Sequence, residues 1–313
     1  MKVDVIGGSI AGLSAAITLA REGADVHVHE RASFETIDLG AGLGVRMDLV
    51  RAVLGDDAAT LPTTVATKRV VWRAGRDSVE PMALSFTTYA ELRHALRARV
   101  PAERYHAREG LQSIVQAARG AEAILTSRGR SLSDLLVCAD GRHSIARSFF
   151  AGGRAAAPAF AGYVLLRALV PESRLRPGLR ERMMSETLHL AATGRHHLVA
   201  YPAPGRLLNW GWYYGVSDAD LARLRVDRHG QRIEGTLAAG SLSDETMARL
   251  HRSAEAWSDW PRALVADVLA SSGVALHPIY EYASPRLANG AACLLGDAAH
   301  LASPITGSGV RLA

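Results

Sequence analysis

Three stretches of this 313-residue chain carry residue types at spacings that suit chemistry. The first is Gly7-Gly8-Ser9-Ile10-Ala11-Gly12. It follows Val3, Val5 and Ile6, which read as a buried strand, and precedes a helix-like run from Leu13 to Glu22 rich in good formers (Ala15, Ala16, Leu19, Ala20). Gly23 suits the left-handed residue that ends such a helix. Asp25 to His29 then alternate Val26 and Val28 with polar residues and arrive at Glu30. The result is a β-α-β unit with a phosphate-binding turn. Its helix N-terminus offers free N–H groups and the positive end of its dipole to a pyrophosphate, and Glu30 is placed to accept hydrogen bonds from ribose hydroxyls. Strand, turn, helix, strand and acid in this order predict a dinucleotide site at Gly7, Gly8, Ser9, Ile10, Ala11, Gly12 and Glu30, with Arg31 beside it. The competing reading is a glycine-rich loop in an ordinary α/β unit. The fingerprint wants glycine where Ser9 stands, so that backbone can approach the phosphates. Serine is a small replacement whose hydroxyl could donate to a phosphate oxygen. The second stretch is Asp140-Gly141, after the strand expected over Leu132 to Cys138; the third is Gly296-Asp297, after Ala291 to Leu295.

The elements that must position these motifs alternate along the chain. Val65 to Phe86 reads as a β-meander turning at Ala74-Gly75, and Tyr89 to Val100 as an amphipathic helix stopped by Pro101. Strands are expected at 110–117, 121–127 and 132–138. A linker by composition, Ala151 to Pro158, separates these from an aromatic-rich β region with strands at 163–170, 187–192, 197–201 and 207–214. Helices at 244–257 and 261–270 and strands at 277–282 and 291–295 complete the pattern. The chain can bury a large core, and 48% hydrophobic with 21% charged residues is the composition of a globular protein. The formal charge of +5 comes from scattered arginines, with lysine only at Lys2 and Lys68, which argues against nucleic acid. The first strand begins within two residues, leaving no room for a signal peptide, and no apolar run approaches the ~20 residues of a spanning helix. A cytoplasmic location is expected. Cys138 and Cys293 sit in apolar runs and read as core residues. The histidines show no metal spacing, and no metal is expected.

Taken together, the glycine turn, Asp140-Gly141 and Gly296-Asp297 resemble in order the single-component FAD-dependent aromatic hydroxylases of the para-hydroxybenzoate hydroxylase type. Local strings are most like their dihydroxypyridine hydroxylase subgroup: Gly8-Ser-Ile-Ala-Gly-Leu13, Phe86-Thr-Thr-Tyr89, Ala161-Gly-Tyr163, Leu198-Val-Ala-Tyr-Pro-Ala-Pro-Gly205 and Asn209-Trp-Gly-Trp-Tyr213. The resemblance covers essentially the whole chain. It implies an α/β fold: a Rossmann-like FAD-binding domain with an inserted mixed β-sheet substrate domain. The expected division is 1–155 for the first part of the FAD domain, 156–275 for the substrate sheet and 276–313 for an incomplete return segment.

The resemblance also implies roles. Asp297 would hold the ribityl hydroxyls, and Pro304 would line the isoalloxazine. The Gly307-Ser-Gly309 turn would open a helix toward the flavin pyrimidine, Arg46 would approach the pyrophosphate, and the Leu111 backbone would meet the adenine. Asp140 and Arg147 would serve FAD and the nicotinamide cofactor. The implied activity is an FAD-dependent, NAD(P)H-using monooxygenase that hydroxylates a small aromatic or N-heteroaromatic ring with dioxygen, through a flavin C4a-hydroperoxide. Pocket candidates are His189, His197, Tyr201, Trp212 and Tyr214, with Tyr201 and Trp212 singled out; packing within a second sheet is the competing role for each. The expected partners are the ring substrate and dioxygen, with no nucleic acid and no membrane, and a homodimer is the assembly to test. Tyr89 stands where many relatives carry arginine, and Arg311 replaces the usual asparagine. The sequence stops at Ala313, whereas the family continues with a long helix, so a truncated, catalytically silent flavin-binding or scaffold protein is the alternative. A flavin halogenase fares poorly, because Tyr213-Tyr214 follows Trp212 where that signature has isoleucine-proline.

Overall fold

The computed structural model describes residues 1–33, 41–127, 129–151, 157–271 and 273–304. Gly307, Gly309 and Arg311 lie outside the described residues. In chain order the strands begin with β1 (Lys2–Ile6), β2 (Asp25–Glu30), β3 (Gly42–Val45), β4 (Thr64–Arg73), β5 (Arg76–Thr88) and β6 (Tyr105–Ala107). Next come β7 (Leu111–Gln116), β8 (Ala121–Leu125), β9 (Gly129–Ser133), β10 (Leu135–Cys138), β11 (Ala159–Pro171) and β12 (Thr187–Thr193). The last six are β13 (His196–Ala203), β14 (Leu207–Gly215), β15 (Ala275–Ala283), β16 (Ala288–Asn289), β17 (Ala292–Leu294) and β18 (His300–Leu301). The helices are α1 (Ile10–Arg21), α2 (Met47–Leu54), α3 (Tyr89–Arg97), α4 (Arg147–Phe150), α5 (Pro177–Met183), α6 (Asp218–Leu224), α7 (Asp244–Ala254) and α8 (Asp259–Ala270).

A six-stranded sheet runs β16-β17-β10-β1-β2-β6, parallel except at β16. Parallel strands are covered on both faces, which is why β1 and β10 read as continuous apolar runs. One face packs Val3, Val5, Val26 and Val28 against α1, α2 and α3. The other packs Ile6, Leu136 and Cys138 against the three-stranded sheet β7-β8-β9 and α4. The single strand expected over 132–138 is two strands broken at Asp134, whose carboxylate and N–H both bond the Lys2 backbone (2.8 and 2.9 Å). The two cysteines are free and lie on neighbouring strands of this sheet.

The nine-stranded sheet runs β18-β15-β11-β14-β13-β12-β4-β5-β3 and is antiparallel apart from the β12–β4 pair. Its strands are drawn from both sides of the expected 156–275 span: β3, β4 and β5 come from the first part of the chain, while β15 extends past residue 275 and β18 follows it. Only β16 and β17 of the return segment rejoin the six-stranded sheet. Composition suggests a linker over 151–158, of which 152–156 lie outside the described residues, but it carries no information on which sheet accepts a strand; pairing partners decide that. Ala74 and Gly75 both take positive φ (49° and 79°), the turn geometry whose twist matches a two-residue hairpin between β4 and β5.

Alternation along β14 splits its aromatics between two faces. Trp210, Trp212 and Tyr214 join a core with α5, α6, α7 and α8 that includes Trp257 and Leu264. Asn209, Gly211 and Tyr213 point the other way, level with Tyr201, Val199 and His197 on β13. That inner face meets the chain near residues 303–304, where the Tyr213 hydroxyl donates to the Pro304 carbonyl (3.2 Å) and the Tyr163 hydroxyl contacts Ser303 Oγ.

Candidate functional site

The turn between β1 and α1 is too tight for a side chain at Gly8 or Gly12. A Cβ on Gly12 would lie 1.9 Å from the Gly7 carbonyl oxygen, and one on Gly8 would lie 2.3 Å from the Tyr105 hydroxyl. With no carbonyl one turn earlier to accept them, the first N–H groups of α1 face outward from this turn. Glu30 closes it: its carboxylate accepts from Gly8 N (2.6 Å) and Ala32 N (2.7 Å), one bond to each oxygen. Each oxygen keeps a further lone pair for a ligand hydroxyl.

Beside this turn lies a cleft lined by Gly7, Ser9, Glu30, Arg31, Leu111 and Asp140, so residues from four separated parts of the sequence meet there. Asp140 Oδ2 accepts from Ile145 N (2.7 Å) and Ala146 N (3.2 Å), while its buried Oδ1 has no partner among the described residues. A buried carboxylate oxygen without a donor costs free energy that a ligand hydroxyl or N–H would recover. The glycines of the turn, the open lone pairs of Glu30 and the orphaned Asp140 oxygen fit the adenosine diphosphate half of a dinucleotide.

The C-terminal motif reaches the same turn. Gly296 has φ +58°, and a Cβ there would lie 2.6 Å from Ala11 Cβ, so Gly296 packs directly on the start of α1. Asp297 is open to solvent on one side but set in a concave wall of protein. That burial raises its carboxyl pKa, against the opposing pull of Arg147, Arg142 and His300. Arg147 does not face the cleft with free donors. Its guanidinium bonds the carbonyls of Asp297 (2.6 Å), Arg142 (2.8 Å), Ala298 (3.0 Å) and Gly141 (3.3 Å), tying the two aspartate motifs together. Arg46 is exposed at the start of α2 and ion-paired with Asp48.

The pocket candidates divide by face. Trp212 is fully buried among Trp210, Trp257 and the α7–α8 helices, on the face turned away from Pro304, so the expectation that it contacts substrate is corrected. Tyr214 and His189 share that covered face; His189 packs on Trp260, and burial lowers its pKa to about 4. Tyr201 lies on the inner face, stacked on Phe86 with 3.9 Å between centroids. His197 is there too, stacked on Tyr213, and burial lowers its pKa. A cavity of about 600 Å³ opens at this end of the face, walled by Tyr163, His197 and Tyr213. Tyr213 is the inner-face residue that sequence reading missed. Strict alternation between Asn209 and Tyr214 is the signal that could have found it, since the two tryptophans claim the covered face.

A nucleotide-binding α/β sheet joined to a large antiparallel sheet with an aromatic inner face defines a flavoprotein-like class. A family described as FAD binding domain-like matches residues 160–268. The 2,6-dihydroxypyridine 3-monooxygenase of Paenarthrobacter nicotinovorans is 28% identical over 320 residues, covering 98% of this chain and 79% of that protein. A salicylate hydroxylase of Pseudomonas putida is 24% identical over 335 residues, covering 99% and 74%. Among solved structures, 2,6-dihydroxypyridine-3-hydroxylase from Arthrobacter nicotinovorans superposes with a TM-score of 0.88 at 26% identity, covering 99% of this chain and 80% of that one. The Klebsiella pneumoniae HpxO complex with FAD and uric acid shares the fold, with a TM-score of 0.81 at 21% identity, covering 100% and 76%. Over nearly its whole length the chain is similar to FAD-dependent aromatic hydroxylases, and it is an enzyme of the flavoprotein monooxygenase type. No helix among the described residues is long and apolar enough to cross a membrane.

Proposed function

We propose that this protein uses FAD, NAD(P)H and dioxygen to hydroxylate a small aromatic or N-heteroaromatic ring. The observation that carries the reading is the packing of Gly296 on Ala11, which brings Asp297 to the glycine turn, together with the inner-face tyrosines at Ser303 and Pro304. FAD reduced by the nicotinamide cofactor supplies the activation of dioxygen. In this reading Gly7 to Gly12, Glu30, Arg31, Leu111 and Asp140 hold the ADP half, and Asp297 holds the ribityl chain. Arg46 is assigned to the pyrophosphate side.

The chain's own work on the substrate is positional. The inner face offers Tyr201 and Tyr213, whose hydroxyls burial keeps protonated far above neutral pH. Tyr201 can donate to a ring oxygen, whereas Tyr213 gives its proton to the Pro304 carbonyl and keeps only its oxygen as an acceptor; neither can deprotonate a ring hydroxyl. His197, which burial keeps neutral, is the nearest fit for an acceptor of a ring hydroxyl proton. The covering sheet excludes water from the reacting ring. The relatives named for dihydroxypyridine and salicylate support a hydroxylated ring as substrate. The test is the absorbance spectrum of purified protein, followed by NAD(P)H oxidation with a panel of hydroxylated pyridines and benzoates. Bound flavin and oxidation stimulated by at least one ring are expected. Protein that takes up no FAD, or whose NAD(P)H oxidation no ring stimulates, overturns the reading.

A further inference from the structure

Three buried ionisable side chains meet at the wall of the nucleotide cleft: Asp4 on β1, His29 on β2 and Glu109, between β6 and β7. His29 Nε2 lies 3.1 Å from Asp4 Oδ1, and its Nδ1 lies 2.8 Å from Glu109 Oε2. The other carboxylate oxygens are engaged too: Ser131 Oγ donates to Asp4 Oδ2 (2.6 Å) and Ser127 Oγ to Glu109 Oε1 (3.1 Å). A neutral imidazole has one N–H, and an ionised carboxylate has none to give. Making both bonds therefore takes two protons shared among the three groups, one more than a neutral ring between two carboxylates holds. Burial opposes ionisation of Asp4, but hydrogen bonds from His29 and Ser131 and the charges of His29 and Lys2 hold its carboxyl below the usual range. The other titratable groups around the ring are Lys2 on β1, His106 on β6 and His27 on β2. Lys2 Nζ is 3.9 Å from Asp4 Oδ2, the His106 ring centroid is 5.1 Å from that of His29, and His27 bonds His106 (3.0 Å). His27 is in turn held by Arg104 and Asp25.

This network ties two walls of the cleft together. The His29 carbonyl accepts from Gly7 N (2.8 Å), and Glu109 N donates to the Glu30 carbonyl (2.8 Å). His29, Glu30, Gly110 and Leu111 all line the cleft. Loss of one shared proton breaks one of the two bonds and leaves two buried negative charges around a ring without positive charge, which is costly. Moving Glu109 away relieves that cost, and Gly110 and Leu111 move with it.

Resting on the assignment of this cleft to the ADP half of FAD, we infer that His29 is a positioning residue: by sharing two protons with Asp4 and Glu109 it holds the cleft in its binding shape. Nucleotide binding and protonation of the network are thereby linked. The protonated form binds, so affinity is present at lower pH and is lost as pH rises and the second proton leaves. By the same linkage, nucleotide bound above that transition draws a proton back into the network.

The experiment titrates the flavin-depleted full chain with FAD and, separately, with ADP from about pH 7 to about pH 9.5, above the phosphate pKa of about 6. Calorimetry in two buffers of different ionisation enthalpy reads both the affinity and the protons taken up. Both ligands are expected to bind roughly tenfold more weakly at the upper limit, the worth of one hydrogen bond to a charged group, and to take up a proton there. Glu109→Gln should bind as the wild type does at the lower limit and show neither the fall nor the uptake. Its amide N–H can donate to a neutral His29, which still donates to Asp4, while its carbonyl accepts from Ser127. His29→Leu leaves two carboxylates with no donor between them and should bind weakly at every pH. Wild-type affinity flat with pH, a fall for FAD without one for ADP, the wild-type fall retained in Glu109→Gln, or wild-type binding in His29→Leu overturns the proposal and leaves the dinucleotide reading standing. Protein that binds neither FAD nor ADP at any pH overturns both. Should His29→Leu fail to fold, the comparison of wild type with Glu109→Gln decides the matter.

Discussion

The Ser9 Oγ and the Tyr89 hydroxyl lie 2.7 Å apart, joining the N-terminus of α1 to that of α3. Two positions singled out as departures from the family pattern therefore meet each other. The serine hydroxyl is engaged by the protein itself and makes no cap bond to its own helix. Ser9→Gly should leave FAD affinity within about threefold, because the phosphate is held by backbone N–H groups. Tyr89→Phe should cost about 1 kcal/mol of stability, the net worth of one hydrogen bond. Flavin titration and thermal unfolding check the pair; loss of FAD binding in Ser9→Gly would make its hydroxyl a ligand.

Asp297→Ala is expected to lower FAD affinity about 5- to 30-fold with little change in melting temperature, since a solvent-open carboxylate contributes hydrogen bonds to the ligand rather than to the core. Fluorescence quenching on flavin titration measures it. Wild-type affinity would remove Asp297 from the site.

Gly296→Ala should be worse than Asp297→Ala, because its Cβ would press on Ala11 and its φ of +58° strains any L side chain. Adding Ala11→Gly removes the clash but not the strain, so the double variant should recover part of the lost FAD affinity. A double variant no better than the single one would mean that contact between the two motifs does not hold the site together.

Trp212→Ala should cost about 3–5 kcal/mol in stability, as expected for an aromatic removed from a packed core. Tyr213→Phe, which loses only the bond to the Pro304 carbonyl, should cost about 1 kcal/mol yet change the turnover of ring substrates. Unfolding curves and steady-state rates separate the two; an unaffected turnover in Tyr213→Phe would withdraw the inner-face assignment.

Acid should unfold this protein partly through His189. Its Nε2 meets the Arg182 carbonyl (3.1 Å), its buried Nδ1 has no partner among the described residues, and burial lowers its pKa from 6.5 to about 4. The unfolded chain therefore binds a proton that the folded one refuses. The contribution is present in full above pH 6.5 and is lost as pH falls toward 4, by about 3 kcal/mol. His189→Gln should flatten the fall in melting temperature between those limits; an unchanged slope refutes the linkage.

The β-α-β unit was legible because local signals agree there: an apolar strand, glycines that no side chain could replace, a helix ended by Gly23 at φ +84°, and an acid at the tip of the next strand. The hairpin at Ala74-Gly75 was legible for the same reason. Likewise Asp140 and Gly296-Asp297 stood out as turns after buried strands. Each of these depends on a few neighbouring residues, and sequence order alone expresses it.

Other features depend on which surface covers which, and no local pattern carries that. Trp212 and Tyr213 are adjacent and both aromatic; only the packing of α5 to α8 on one face of the sheet consigns the first to the core and leaves the second facing Pro304. Strands β3 to β5 look alike whichever sheet they join, and hydrogen-bond partners more than 100 residues away settle the choice at β12. The sequence alone determined the nucleotide cradle and its acid, because their chemistry is backbone chemistry set by local conformation. Tertiary structure decided which side chains face the substrate, because burial and charge pairing are properties of neighbours that only the folded chain brings together.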